Sequence, residues 1–364
     1  MNPSASGRQF LRTLGLVALA ISVMFTVDTF LAKTEESESR VEAARLFAEG
    51  QRLLDQGHNL EAAERLKDAL AIQRVNRDYE LALARAQLGA GQYPDAEATL
   101  GTLLASNSTD GPANLNMARV LVKEGRIGEA ISYYHRAVYG TWNDDAENRW
   151  QVRFELIDLL ARQNSKEELL GELLAVADQA SDDVATRLRI GSLFLEAGSP
   201  NRAAAVFQQL LAERPDNAAA FAGLGEADFA RADYRAAVNH FSSALRLNPD
   251  DQAAVQKLDL CNRILALDPA RRGLDPAERF RRSRVLLEMT AAAVEKCSNS
   301  GLLERAKKRA VEERVTAARQ DAAAEADVDL AEELWQAREP GCGASNDRTS
   351  PDDPLALVLA KTAQ

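Results

Sequence analysis

The sequence holds few of the residues from which reactive centres are built. Three cysteines (Cys261, Cys297, Cys342) and three histidines (His58, His135, His240) are scattered over 364 residues. No two cysteines form a CxxC pair, so a zinc ribbon and a dithiol redox motif are both excluded. No HExxH, GxSxG, P-loop or dinucleotide glycine pattern occurs where a strand and a helix could support it, and each histidine reads as a surface or packing residue. No cofactor, metal or enzymatic activity is expected. Basic charge is also short: 44 Lys and Arg against 55 Asp and Glu leave −11, which excludes a strongly basic nucleic-acid binder. Aromatic residues make up 5% of the chain while hydrophobic residues make up 46%, a composition of helices packed through small side chains.

One long apolar run is present. Residues 14–27 read LGLVALAISVMFTV, preceded by Arg8 and Arg12 and followed by Asp28 and Lys33. Extended to residues 10–32, a helix would cover roughly 30 Å of hydrocarbon. The reading is an uncleaved transmembrane anchor over 13–32, after a cytoplasmic start at 1–12 and before a linker at 33–42. The alternative is a cleaved signal peptide with a secreted product. Arg8 and Arg12 place the N-terminus inside and the body outside the cytoplasm, in the periplasm of a Gram-negative cell.

The body repeats every 34 residues. In 218–251, Phe221, Leu224, Gly225, Tyr234, Ala237, Phe241, Ala244 and Pro249 stand at positions 4, 7, 8, 17, 20, 24, 27 and 32. The same register places units at 43–76, 77–110, 111–144, 150–183 and 184–217. Position 15 reads Gly57, Gly91 and Gly125 in the first three units; position 20 reads Ala62, Ala96 and Ala130. Small residues at 8 and 20 let two helices approach closely, and glycine at 15 suits a turn that needs a left-handed backbone. Unit 150–183 is the weakest, with Ile157 and Leu169 at the small positions, and the five residues inserted before it, Asp145 to Arg149, read as a longer exposed loop.

This pattern resembles the tetratricopeptide repeat (TPR), two antiparallel helices, A and B, per unit. The resemblance implies an all-α, right-handed solenoid with the A helices lining its concave face. Beyond residue 251 a degenerate seventh unit and a C-terminal helical cap are expected over 252–339, with a helix from Ala277 to about Cys297. Residues 303–319 carry net +3 and 321–339 net −6, which favours a bend near Gln320 to Asp329 and antiparallel pairing. That bend would bring Cys342 towards Cys297, a candidate disulfide in an oxidising compartment. Residues 340–364 read as a flexible tail with a short helix that docks on the cap.

In proteins that this chain resembles, the groove is formed by A-helix positions 2, 5, 6, 9, 12 and 13. Position 9 here runs Gln51, Arg85, Arg119, Asp158; Asn116 at position 6 and Lys123 at position 13 add polar groups. Arg85 and Arg119, one repeat apart, could pair with carboxylates of an extended peptide, or make local ion pairs with Glu80 or Glu124. The Lys and Asn clamp of some chaperone-binding TPR domains is not reproduced. The leading expectation is a membrane-tethered scaffold or adaptor that binds another envelope protein or a peptide segment of one. The alternatives are a holdase using Phe47, Leu81, Leu115, Phe154 and Leu188 at position 5, and a noncanonical enzyme in 252–364.

Overall fold

The computed structural model describes residues 5–142, 146–177, 183–295, 301–311, 315–337 and 353–363. Among them every regular element is a helix, apart from one isolated parallel bridge between Asp110 and Thr141. The chain divides into two compact units, Met1–Leu159 and Leu160–Gln364.

The first unit holds α1 (Ala5–Asp55), α2 (Asn59–Ile72), α3 (Arg77–Gly89), α4 (Tyr93–Ser106), α5 (Gly111–Lys123), α6 (Ile127–Tyr139) and most of α7 (Ala146–Arg162). Each helix from α1 to α5 packs on the next, and α1 also meets α3, as α3 meets α5. This is the stacking of hairpins in which neighbours complete each other's core. The second unit holds a stack of the same kind, in which each of α8 (Lys166–Ala177), α9 (Val184–Glu196), α10 (Pro200–Glu213), α11 (Ala218–Ala230) and α12 (Tyr234–Leu247) packs on the next, as far as α13 (Gln252–Leu267).

Three columns of the 34-residue period set this architecture. At position 15 all six residues have positive φ: Gly57, Gly91, Gly125, Asn164, Gly198 and Ala232. At position 34, Asn76, Asp110, Asp183, Asn217 and Asp251 each cap the next A helix by accepting a backbone N–H from three residues on. At position 24, Leu66, Leu100, Tyr134, Leu173, Phe207 and Phe241 are buried. Where position 8 is glycine, the position-24 side chain lies against it: a Cβ on Gly191 would come within 2.5 Å of the Phe207 ring, and one on Gly225 within 2.7 Å of Phe241.

α1 departs from the expected boundaries. It runs unbroken through 33–42, so the linker there is helical. No Gly or Pro interrupts residues 16–49, and Arg40 pairs with Glu36 one turn earlier at 2.5 Å. Among the described residues no helix is long and apolar enough to cross a membrane. Some side chains of the expected anchor, those of residues 15–18 among them, lie outside the description. The insertion before Trp150 is also not a loop over its described part: from Ala146 onward it lengthens α7.

The cap comprises α14 (Pro276–Val294), α15 (Gly301–Ala310), a 3-10 turn at Ala317–Arg319, α16 (Gln320–Gln336) and α17 (Pro354–Thr362). It shares one core with α12 and α13, including Tyr234, Cys261, Ile264, Leu287, Leu334 and Val358. The break expected at Gln320 to Asp329 lies earlier, between Ala310 and Gln320, where Thr316 is extended (ψ 148°). The segregated charges do pair across it: Arg305 meets Glu333 at 2.7 Å, and Arg309 meets Asp327. α17 docks on α13, α14 and α16, burying Leu355, Val358 and Leu359. Cys297 and Cys342 lie outside the described residues.

Candidate functional site

The first unit has a groove of about 410 Å3 lined by the A helices of three successive repeats. α3 contributes Arg77, Leu81 and Arg85; α5 contributes Pro112, Leu115, Asn116 and Arg119; α7 contributes Gln151, Val152 and Glu155; Trp142 closes one side. Counted along their units, these residues fall mainly on positions 2, 5, 6 and 9.

Each helix arrives by a device already present in the sequence. Asn76 caps α3 and Asp110 caps α5, while the left-handed turn glycines Gly91 and Gly125 send the chain back after each A helix. Trp142 is set by the Asp110–Thr141 bridge, in which Gly111 N donates to Thr141 O at 3.0 Å and Thr141 N to Thr109 O at 2.7 Å. Its indole Nε1 donates to Ala137 O at 2.8 Å. A side chain on Gly111 would collide with that indole, so glycine is required there.

The three guanidiniums of the groove are in different states. Arg77 forks onto Asp110 at 2.5 and 3.0 Å, and Asp110 is buried and also caps α5. Arg119 forks onto Glu155, Nε to Oε2 at 3.0 Å and Nη2 to Oε1 at 2.5 Å, and the Tyr134 hydroxyl donates to the same carboxylate at 3.3 Å. These hydrogen bonds, from Asp110 and Glu155 respectively, push the Arg77 and Arg119 guanidiniums further above their ordinary range. Arg85 is exposed and has no hydrogen-bond or ion-pair partner among the described residues. Nearby Glu80 has its carboxyl raised by burial.

Of the sequence-predicted residues, Arg85, Asn116 and Arg119 come together in this groove. Asn116 spends its amide on Pro112 O at 2.8 Å. Gln51 and Lys123 are exposed outside the groove lining, and half-buried Asp158 is also outside it. The local pairing expected for Arg119 is with Glu155 rather than Glu124, which instead meets Arg126 at 3.1 Å. Among the apolar position-5 residues, Leu115 and Phe154 are buried and Phe47 stacks on Tyr79 at 4.5 Å, so they serve mainly as packing.

Arg77, Trp142, Gln151, Val152 and Glu155 were not singled out from the sequence. Gln151 and Glu155 do occupy groove positions 2 and 6 of the fourth unit, and Trp142 stands at position 32, where two later units have proline. Elsewhere, His240 Nδ1 lies 2.5 Å from buried Asp228, whose other oxygen is held by Arg231; this ties α12 to α11. Among the described residues no group of three or more His, Cys, Asp or Glu could hold a metal ion.

The tetratricopeptide-repeat family model matches residues 53–113 and 194–264. Among solved structures, the chain is similar to YrrB, a TPR protein with an unusual peptide-binding site, at 19% identity over 53% of this chain and 97% of that one, TM-score 0.42. It is similar to the C-terminal part of a TPR repeat-containing protein from Cytophaga hutchinsonii at 12% identity over 82% and 99%, TM-score 0.44. It is also similar to PilW, a type IV pilus biogenesis factor, at 14% identity over 60% and 96%, TM-score 0.38. No curated protein matches the chain.

Proposed function

We propose that this chain, a tetratricopeptide-repeat protein, is a scaffold that receives an extended segment of another protein in the groove of α3, α5 and α7. The observation that carries this reading is Arg85, an exposed guanidinium on the groove wall with no partner among the described residues, in a chain of net charge −11. A planar fork of donors without an internal acceptor is suited to a carboxylate from outside. Half-buried Leu81 beside it offers apolar contact. The role is binding, not catalysis.

The N-terminal half of α1 is read as a membrane tether that leaves the repeats outside the cytoplasm, with another envelope protein as the partner. Support comes from Leu14, Leu19, Val23, Met24, Phe25, Val27 and Phe30, all exposed. At about 100° per residue they are distributed around the whole helix, which suits lipid on all sides better than one partner helix. Carbonate extraction of membranes and a periplasmic reporter fused after Gln364 test this part. A chain released by carbonate, or a silent periplasmic reporter, contradicts it.

The groove is tested by affinity capture from crosslinked cells with the wild type and Arg85→Glu. A partner enriched by the wild type and lost from the charge-reversed variant is expected. Equal recovery by both removes Arg85 from the site.

A further inference from the structure

Resting on that reading of the groove as a protein-binding site, we infer that Glu155 is a resident carboxylate that reserves Arg119, so that the groove selects segments with a single acidic side chain, read by Arg85. The two engaged arginines differ in what their carboxylate partners do. Asp110, the partner of Arg77, is buried and caps α5 through Ala113 N, so no incoming carboxylate can replace it without uncapping that helix. Glu155 caps nothing. It lines the groove, its side chain is 28% exposed, and it meets Arg119 in the two-point geometry that a ligand carboxylate would adopt.

An acidic side chain that reaches Arg119 must therefore displace Glu155, an intramolecular competitor always present at high effective concentration. It would also leave the Glu155 carboxylate unpaired beside a second negative charge, a repulsive element of the kind that sets specificity. An acidic side chain that reaches Arg85 meets no competitor. Around it the groove offers half-buried Leu81 and the half-buried Trp142 indole, whose N–H is already donated to Ala137 O. The partner that fits is an extended segment with one Asp or Glu flanked by apolar residues.

The test is fluorescence anisotropy with the full chain in a non-ionic detergent. The probes are three rhodamine-labelled ten-residue peptides of Leu, Ala and Ser carrying no glutamate, one glutamate, or two glutamates three residues apart, about 10 Å when extended. The wild type is expected to bind the one-glutamate peptide on the order of tenfold tighter than the neutral one, and the two-glutamate peptide no tighter still. Glu155→Gln should strengthen the two-glutamate peptide about tenfold relative to the one-glutamate peptide, and adding Arg119→Gln should cancel that relative gain. The wild-type comparison needs no variant to fold: a two-glutamate peptide binding tenfold tighter than the one-glutamate peptide overturns the inference. So does a folded Glu155→Gln with unaltered ratios, and in both cases the groove reading stands because the one-glutamate peptide still binds. Failure of all three peptides to bind the wild type overturns the groove reading as well.

Discussion

Arg119 and Glu155 hold each other through two hydrogen bonds, at 3.0 and 2.5 Å, across the step from the A helix of one repeat to the A helix of the next. Thirty-six residues separate them. The pair both fastens adjacent repeats and neutralises one of the groove's arginines, so that Arg85, one repeat earlier, is left as the group open to a partner. Two residues of the same type at the same repeat position are thus in different states, Arg119 engaged and Arg85 exposed without a partner among the described residues.

Ala232 is the exception in the turn column. Its φ is +56°, where a Cβ costs roughly 1 kcal/mol or more. Ala232→Gly is expected to raise stability by about 0.5–1 kcal/mol after the larger chain entropy of glycine is deducted. The reverse change, Gly91→Ala at φ +77°, should lower it by about 0.5–1 kcal/mol on the same balance, although nothing lies within 4 Å of its new methyl group. Urea titrations of the two variants, showing midpoints moved in opposite directions, would check this.

The Phe207 ring is wedged between Gly191 and Gly223. Alanine at 191 gains about 1 kcal/mol of helix propensity, but its Cβ would lie 2.5 Å from the ring. Overpacking of this kind costs about 1–3 kcal/mol, so Gly191→Ala should destabilise on balance. Coupling with Phe207→Leu in a double-mutant cycle should recover part of the loss. Simple additivity of the two changes would contradict the contact.

Asp327 is buried in the cap and is the anion for two arginines, Arg309 and Arg284. Arg284 is the more dependent of them. Its Nε is 2.8 Å from Asp327 Oδ2 without hydrogen-bond alignment, its Nη atoms are buried without an acceptor, and it sits over the Phe280 ring at 4.9 Å. Asp327→Asn removes the charge and should cost about 2–4 kcal/mol, because the mostly buried Arg284 loses its anion while Arg309 keeps some access to water. Hydrogen exchange should quicken in α15 and α16 before it quickens in α3 to α6.

Burial pushes the Cys261 thiol from its ordinary 9.0 up to about 11. The folded chain then keeps this proton when the unfolded chain has lost it. Its contribution to stability is therefore complete below pH 9 and disappears as pH rises towards 11. Native Cys261 should resist iodoacetamide at pH 8 and react once urea unfolds the second unit, as followed by peptide mapping. The decline in urea midpoint between pH 9 and 11 should be shallower in Cys261→Ala.

The repeats were legible because their requirements have few chemical solutions. Only Gly, or less well Asn, suits a left-handed turn, and only small residues let helix pairs close up, so these columns stand out in one sequence. The caps at position 34, Asn or Asp in five units, were not singled out from the sequence. The groove was readable in part. Position 9 brought out Arg85 and Arg119, but which of them is free depends on where Glu155 falls after an irregular insertion that turns out to extend α7. Trp142 depends on a bridge between two loops, which no local pattern encodes. In the cap, charge segregation foretold the pairing of α15 with α16 but misplaced the break, which falls between Ala310 and Gln320, before the acidic half begins.

The central claim is that the groove of α3, α5 and α7 receives a segment of another protein. Its most direct test is a photo-crosslinking amino acid at Gln151, exposed in the groove, compared with the same probe at Ser132, exposed on B helix α6. The account predicts partner peptides crosslinked from position 151, not from 132, and a marked loss of that adduct when Arg85→Glu is added. Equal crosslinking from both positions, or an adduct at 151 indifferent to Arg85, would contradict it.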